Sequence, residues 1–572
     1  MHGASEDAAH QPLISRSHGQ GDGADGDAYP PPLNDQTIAS SPREEHFFSR
    51  YSTEGPTDGE IGDDADGLLS SASSDVKKNN SLSLSLWLLT LTAGVSGLLF
   101  GYDTGIISSM LISFDGDLGR PLTTWDKSAI TSSTSVLALI FSPLAGVFAD
   151  LLGRKVVLGV ASLFFVAGAL LQAASGHVWM MITGRSIVGA AVGLASSVAP
   201  LYIAECAPAD ARGRLVTVQS LFITGGQVVA YVVGWAAQGH WRWAVGLGAL
   251  PATMQAGLLL AMDESPRWLV RRAREGEARH VLSRLGMSLR ESDRLVTAIR
   301  DVVLEEDATL GKHGLKESLV ELVSEPVSRR ALIVACMLQG LQQLCGFNSL
   351  MYFSATIFTL AGFTSPLTTS LSIALTNFLM TLVAFHIIDD IGRRRILLVS
   401  IPFMTLGLLA CALSFSHINL SNSSPAIIAT SASPSASTYS SLLLLSLLLY
   451  VAAYAPSLGT IPWHQGELFP SSATRGLGCG IATTVNWLAN AVTAATFLPL
   501  FGDGRGGGGG GGGAEKRLLG GPGVVFVGYA LVCAVGWVWI WWIFPESKGV
   551  GLEDVGGAGG GGGQGADGED GL

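Results

Sequence analysis

The sequence predicts an all-α membrane protein whose twelve transmembrane helices form two six-helix halves. Its composition, the number of long apolar stretches and the recurrence of short motifs all support this prediction. The chain has 572 residues, of which 48% are hydrophobic and 14% charged, and its mean hydropathy is +0.40. Soluble domains carry about 25% charged residues. The net charge of −12 belongs to the ends, because residues 1–80 carry −10 and residues 549–572 carry −5.

Twelve stretches are apolar over the ~20 residues that a helix needs to cross a bilayer. They are residues 84–112, 128–149, 156–174, 178–203, 215–238, 243–262, 331–360, 367–388, 396–416, 441–465, 476–500 and 522–544. A charged segment with helical patterning separates the first six from the last six. The predicted domains are a disordered acidic cytoplasmic tail (1–83), a six-helix bundle (84–262), a cytoplasmic helical linker (263–330), a second six-helix bundle (331–548) and a Gly-rich cytoplasmic tail (549–572).

Basic residues set the orientation. If both ends of the chain are cytoplasmic, then Arg154, Lys155 and the run Arg393–Arg395 also face the cytoplasm, as the positive-inside rule requires. We therefore expect a multi-pass protein of the plasma membrane. The vacuolar membrane is the alternative, since "DADGLL" at 64–69 fits an acidic dileucine sorting signal.

Short motifs recur at matching places in the two halves. "DLLGRK" follows the second span and "DDIGRR" the eighth; "ECAPADARG" follows the fourth and "ELFPSSATRG" the tenth; "DESPR" closes the sixth and "PESKG" the twelfth. The demands of membrane topology explain a single basic turn, but not three pairs in register. A duplicated six-helix unit in parallel orientation predicts a substrate site between the halves, near the midplane of the membrane.

Together these motifs resemble the sugar porter family of the major facilitator superfamily, over about residues 84–556. "FGYDTGIISSMLIS", "LFITGGQVVAY", "LQGLQQLCGFNSLMYFSATIF" and "GTIPWHQGELFP" are most similar to fungal myo-inositol transporters. Hexose members more often carry "SGA" and "YY" where this chain has Ser108–Met110 and Tyr352–Phe353. The resemblance implies the major facilitator fold and proton-coupled uptake of myo-inositol by alternating access.

Asp103 lies inside the apolar first span, where an ionised carboxylate costs about 2.5–3.5 kcal/mol on insertion scales. Its candidate partner is Arg185 in the fourth span, because both residues lie about 10–14 Å below the outer ends of their helices. Gly184, Gly189 and Gly193 allow that helix a close approach to its neighbours. We expect a buried ion pair whose protonation couples transport to protons. The resemblance implies the same role, and a static ion pair between two helices is the alternative.

Amide side chains recur at mid-span depth. Gln339, Gln342, Gln343 and Gly346 share one helix face by their spacing. Amides both donate and accept hydrogen bonds, which suits the hydroxyls of a neutral polyol. The alternative is that they join helices to one another. The resemblance places substrate contacts at Gln227, Gln342, Gln343, Asn348, Asn377, Trp463 and Asn486.

The cytoplasmic motifs predict gates. Glu205 with Arg154, and Glu467 with Arg393 or Arg394, are expected to bridge the halves when the inner side is shut. In the alternative interpretation, these charges only fix the topology.

Other function classes find little support. The six cysteines have no paired spacing and are expected to be small buried hydrophobic residues. No nucleophile and base group together, so we expect no enzyme activity, no cofactor and no metal. The expected partners are a polyol or sugar, protons and the lipid bilayer, without nucleic acid, and the expected state is a monomer. A hexose–proton symporter is the main rival. A nutrient sensor on the same scaffold is disfavoured by the short Gly-rich tail.

Overall fold

A computed structural model describes residues 84–114, 116–207, 212–312, 315–418, 434–469, 472–501 and 522–544. All regular secondary structure in these ranges is helical. The predicted tails at 1–83 and 549–572 lie outside the described residues, and so does the side chain of Glu467.

The first half contains seven helices that form six spans. They are α1 (Leu84–Ser113), α2 (Thr124–Leu152), α3 (Arg154–Ala173), α4 (Val178–Cys206), α5 (Arg212–Ala236), α6 (Trp241–Gly246) and α7 (Ala249–Ala261). Four further helices fall in the segment predicted as a linker. They are α8 (Pro266–Arg271), α9 (Glu275–Arg284), α10 (Leu289–Lys312) and α11 (Leu315–Ser324).

The second half begins where Glu325 caps the next helix by accepting bonds from the backbone N–H groups of Val327 and Ser328. Its helices are α12 (Pro326–Leu344), α13 (Phe347–Leu360), α14 (Pro366–Ile391), α15 (Arg393–His417), α16 (Pro434–Tyr454), the 3₁₀ helix η1 (Ile461–Leu468), α17 (Ser472–Phe501) and α18 (Gly523–Ile543). Within the described residues, eleven helical segments are long and apolar enough to span a membrane, and a shorter apolar helix lies at Thr438–Tyr454. These segments correspond to the twelve predicted spans.

Three spans are interrupted, and one interruption corrects the sequence prediction. The seventh span was expected to be continuous from 331 to 360, but it breaks between α12 and α13. Gly346 has a φ of +88° there, a conformation that glycine adopts readily. A Cβ at this position would lie 2.3 Å from the ring of Tyr529. Gly346 therefore ends the helix face that Gln339, Gln342 and Gln343 share.

The helices of each half pack closely, and small residues permit this. A Cβ on Gly189 of α4 would lie 2.2 Å from the carbonyl oxygen of Thr134 on α2. The halves meet along two main seams, where α2 packs on α17 and α5 packs on α14, and α1 also contacts α13. The space between these seams holds the candidate site.

Candidate functional site

A cavity of about 60 Å³ lies between the two halves. All seven residues that the resemblance assigned to substrate contact line it: Gln227, Gln342, Gln343, Asn348, Asn377, Trp463 and Asn486. The sequence interpretation missed the other lining residues, which are Phe100, Ser220, Ile223, Thr224, Phe347, Thr381, Tyr454, Gly459 and Thr460. Helical spacing was a usable signal for two of them, since Thr224 and Thr381 lie one turn from Gln227 and Asn377.

The amides of the second half form one hydrogen-bonded network. Asn486 of α17 donates to the side-chain oxygens of Gln339 (2.6 Å) and Gln342 (2.7 Å). Gln343 donates to Asn486 Oδ1 over 3.1 Å, and Asn348 donates to Gln343 Oε1 over 2.7 Å. The network joins α12, α13 and α17 and keeps these buried polar groups satisfied.

The interruption of the tenth span supplies acceptors to the same network. Between α16 and η1 the chain turns, and its carbonyl groups leave the regular helical pattern. Gln342 Nε2 donates to the carbonyl of Leu458 over 2.7 Å, and Gln339 Nε2 donates to that of Pro462 over 3.0 Å. Non-helical backbone at membrane depth is tolerated only where protein or a cavity surrounds it. Trp463, in η1, is half-buried and lines the cavity.

One amide pair crosses between the halves. Asn377 Nδ2 on α14 donates to Gln227 Oε1 on α5 over 2.9 Å. The cavity also has apolar walls, including Phe347, whose ring stacks on Tyr454 with centroids 3.8 Å apart. A largely apolar pocket with a few convergent polar groups is the usual form of a small-molecule site.

Hydrogen bonds join the halves toward the end of the molecule that is predicted to face outward. Ser108 Oγ on α1 lies 3.0 Å from Ser354 Oγ on α13 and accepts a bond from the backbone N–H of Ala355. Tyr231 on α5 donates to the carbonyl of Met351 over 2.6 Å and contacts Ser354 Oγ at 2.8 Å. We call Ser108, Tyr231, Met351, Ser354 and Ala355 the outer latch. With the predicted orientation, the cavity lies on the cytoplasmic side of this latch.

Asp103 and Arg185 form a buried ion pair. Arg185 Nη1 lies 2.5 Å from Asp103 Oδ1, and the exposed fraction is 1% for the arginine side chain and 11% for the aspartate side chain. Arg185 Nε also donates to the carbonyl of Ile130 over 3.4 Å. Neither member of the pair lines the amide cavity. The charged pair and the amide site are therefore separate.

The cytoplasmic charges require a correction. Arg154 Nη2 lies 2.8 Å from Glu205 Oε1, and both side chains are nearly buried. This pair does not bridge the halves, because Arg154 begins α3 and Glu205 lies near the end of α4, both in the first half. Ser265 donates to the second oxygen of Glu205. The cluster thus holds α3, α4 and the chain after α7 together at one end of a single bundle.

Glu264 belongs to the same cluster, and the sequence interpretation missed it. Its carboxylate accepts bonds from the backbone N–H groups of Arg154 (2.9 Å) and Ser265 (2.9 Å). Burial nevertheless raises the pKa of the Glu264 carboxyl above its ordinary value. In the second half, Arg394 donates to the carbonyl of Trp541 over 2.7 Å. The predicted contact of Glu467 with Arg393 or Arg394 involves a side chain outside the described residues.

Comparison with known proteins decides the family. The family model described as "Sugar (and other) transporter" matches residues 89–557. The chain belongs to this family. The transporter is 42% identical over 475 residues to Myo-inositol transporter 1 of Cryptococcus neoformans var. grubii, covering 82% of this chain and 80% of that protein. It is 38% identical to Myo-inositol transporter 1 of Candida albicans, covering 82% of each.

Solved structures confirm the fold. The proton:xylose symporter XylE, bound to 6-bromo-6-deoxy-D-glucose, matches with a TM-score of 0.65 and 25% identity, over 82% of this chain and 98% of that one. A partially occluded inward-open form of XylE from E. coli matches with a TM-score of 0.63 at 24% identity, over 82% of this chain and all of that one. The protein is thus a multi-pass sugar porter with the major facilitator fold, and not an enzyme. The predicted resemblance to fungal myo-inositol transporters is confirmed.

Proposed function

We propose that this transporter carries myo-inositol into the cell together with a proton, by alternating access across the plasma membrane. The observation that carries the proposal is the amide-lined cavity between the halves. The names of the relatives support the substrate, and the name of the xylose symporter supports proton coupling. We further propose that the transporter works as a monomer.

The cavity suits a neutral polyol ring. Each hydroxyl of myo-inositol donates and accepts hydrogen bonds, and the side chains of Gln342, Gln343, Asn348 and Asn486 do both without charge. In the structure these amides bond to one another. The substrate therefore exchanges amide–amide bonds for amide–hydroxyl bonds, and Trp463 offers its ring to the C–H face of the polyol.

The ion pair of Asp103 and Arg185 is proposed as the proton-coupling site. With Arg185 at 2.5 Å, ionised Asp103 is compensated inside the bundle. Protonation of Asp103 leaves the buried guanidinium without its counter-charge, so the protonated and ionised forms favour different arrangements of α1 and α4. A ligand shifts a conformational equilibrium by its differential affinity for the two states, and here the proton is that ligand.

The cytoplasmic charges are proposed as gating elements. In the first half, Arg154 and Glu205 act by keeping the ends of α3 and α4 rigid while the halves move. Glu467, Arg393 and Arg394 have the corresponding place in the second half. If so, Glu467→Gln increases the labelling of a cysteine introduced on the cytoplasmic face of the cavity, and unchanged labelling removes Glu467 from the gate.

The deciding experiment is uptake of labelled myo-inositol by cells that lack their own carrier, at acid and neutral outside pH. We expect acid-stimulated uptake that a protonophore abolishes and that excess glucose leaves intact. Uptake abolished by glucose would assign a hexose as substrate and keep the mechanism. No uptake, with the protein at the cell surface, would refute transport and favour a sensor.

The coupling role of Asp103 is tested by Asp103→Asn. We expect the variant to lose accumulation against a gradient and to retain exchange of labelled for unlabelled myo-inositol, since exchange needs no net proton movement. Full accumulation in this variant would reduce the ion pair to a structural one.

A further inference from the structure

A second, small cavity lies within the first half, beside Asp103. It is enclosed by α1, α3, α4 and the junction of α6 and α7, and its polar lining residues are Tyr102, Asp103 and Gln172. About 20 Å³ is open to the centre of a water molecule, which is room for one water and none for a sugar. Asp103 lines this cavity and not the amide cavity.

Gln172 is the unexplained group in this cavity. Only 2% of the residue is exposed, yet its Oε1 has no hydrogen-bond partner. A buried amide oxygen without a partner costs about 1–3 kcal/mol. The hydroxyl of Tyr102 is already committed to the carbonyl of Ala244. Asp103 and Gln172 therefore offer acceptor oxygens to a water molecule here, and Tyr102, whose proton is already donated, can only accept.

Gln172 lies in the last turn of α3, at the outer end of the helix. The backbone carbonyl of Gln172 accepts a bond from Ser175 Oγ over 2.7 Å, and the backbone carbonyl of Ser175 accepts one from Arg242 Nη2 over 3.0 Å. Arg242 also pairs with Asp117 at 2.8 Å. The cavity follows the last turns of α3, from Phe165 to Gln172, and reaches Asp103 within the first half.

We propose that Gln172 holds a water molecule in this cavity and that this water delivers the proton from the outside to Asp103, by a route separate from that of the substrate. The inference rests on the proposed proton coupling and specifies its path. In the transfer, an O–H bond forms on Asp103 as an O–H bond of the hydrated proton breaks, and the neutral water stays behind. The net change is one proton taken from the outer solution.

The charged and titratable groups around this route are few among the described residues. Arg185 on α4 faces Asp103 directly, and Tyr352 on α13 interacts with it electrostatically. Tyr102 lines the cavity from α1 itself. At the outer end, hydrogen bonds from Trp241 and Arg242 lower the pKa of the Asp117 carboxyl. Asp117 therefore stays ionised at mildly acid pH and is not the group that takes up the proton.

The test uses the purified full-length transporter in liposomes that contain a pH-sensitive dye. Two variants address the cavity. Gln172→Met keeps the length of the side chain and removes its polar end, and Ala169→Val fills the cavity from α3 without changing Gln172. Gln219→Met is the matched control, because Gln219 is also buried with an unpartnered Oε1 and does not line this cavity.

We expect both cavity variants to slow myo-inositol-driven proton influx by at least about tenfold, since a positioned proton donor contributes ~10²–10⁴-fold to a transfer step. Exchange of labelled myo-inositol without a gradient should stay at the wild-type rate, which also shows that the variants are folded. Gln219→Met should match the wild type in both assays.

Three outcomes would overturn the inference. If Gln172→Met exchanges myo-inositol and shows wild-type proton influx, Gln172 is not on the route and proton coupling itself still stands. If the cavity variants lose exchange and influx together while the control keeps both, the cavity has only a structural role. If wild-type transport moves no protons, proton coupling fails and the inference fails with it.

Discussion

Replacing Tyr231 with phenylalanine removes two contacts that join the halves at the outer latch. The hydroxyl donates to the carbonyl of Met351 over 2.6 Å and lies 2.8 Å from Ser354 Oγ. Tyr231 belongs to α5 in the first half, and both partners belong to α13 in the second. The ring is fully buried, so phenylalanine keeps its packing and loses only the hydroxyl.

The size of the effect follows from these two bonds. Each buried hydrogen bond contributes about 0.5–1.5 kcal/mol net, so the outer-closed state loses about 1–3 kcal/mol. In the outward-open state water satisfies the same groups, so that state loses little. Since 1.4 kcal/mol corresponds to a factor of ten, the outward-open population rises by about 5- to 150-fold, until that state dominates.

The assay is the rate at which a membrane-impermeant maleimide, added outside, labels Leu111→Cys. Leu111, in α1, is 2% exposed and lines a cavity that α1 shares with α13 toward the predicted outer side. Tyr450→Phe is the matched control, because its hydroxyl donates to the carbonyl of Cys345 over 2.9 Å within the second half. Equal labelling rates in Tyr231→Phe, Tyr450→Phe and the parent protein would refute the outer latch.

Three further predictions follow from the site. Gln343→Leu breaks the bonds to Asn348 and Asn486 and should weaken myo-inositol binding by about 1–3 kcal/mol, seen as a raised KM for uptake; an unchanged KM would contradict its role. Arg154→Met leaves Glu205 buried without its cation and should lower the free energy of unfolding by about 3–5 kcal/mol, measured as a lower Tm in detergent. Adding Glu205→Leu should restore part of this loss. A wild-type Tm for the single variant would contradict the argument. Glu264→Gln tests a pH effect: burial raises the pKa of Glu264 above 4.5, so the folded protein holds this proton more tightly than the unfolded chain and loses stability as the pH rises through the raised pKa. The Tm of the wild type should therefore fall relative to that of Glu264→Gln as the pH rises above 4.5. If the Tm of the two proteins changes with pH in parallel, the assigned effect of Glu264 is refuted.

The spans and the Asp103–Arg185 contact were accessible from sequence because helix geometry is regular. A rise of 1.5 Å per residue fixes the depth of each charge, and few cations share the depth of Asp103 inside the apolar spans. The shared position of the amides could be predicted for a similar reason, since polar residues at helical spacing lie on the same face of a helix. The structure places all seven on one cavity, and their contact with substrate remains a prediction.

The interruptions of the sixth and seventh spans were not accessible, because the apolar pattern continues across them. That of the tenth span is marked in the sequence by the glycine and proline that precede Trp463. Nothing in the pattern around Gly346 shows that its φ is +88°. The ring that packs against Gly346 belongs to Tyr529, which is far away in the sequence. Gln172 escaped notice because one glutamine at a helix end carries no signal until its lack of a partner is seen. The contact of Arg154 with Glu205 was predicted correctly, but its role was not: the pair joins α3 to α4 within the first half and does not bridge the halves.

The two halves of the transporter contribute unequally to the amide cavity. Six of the seven residues assigned to substrate contact belong to the second half, and Gln227 alone comes from the first. The first half instead holds Asp103 and Arg185, which do not line the amide cavity. On the proposed roles, substitutions in the second half change which substrate is bound and leave the proton-coupling pair in the first half untouched. A duplicated bundle can in this way change its substrate specificity in one copy while the other copy keeps the coupling site.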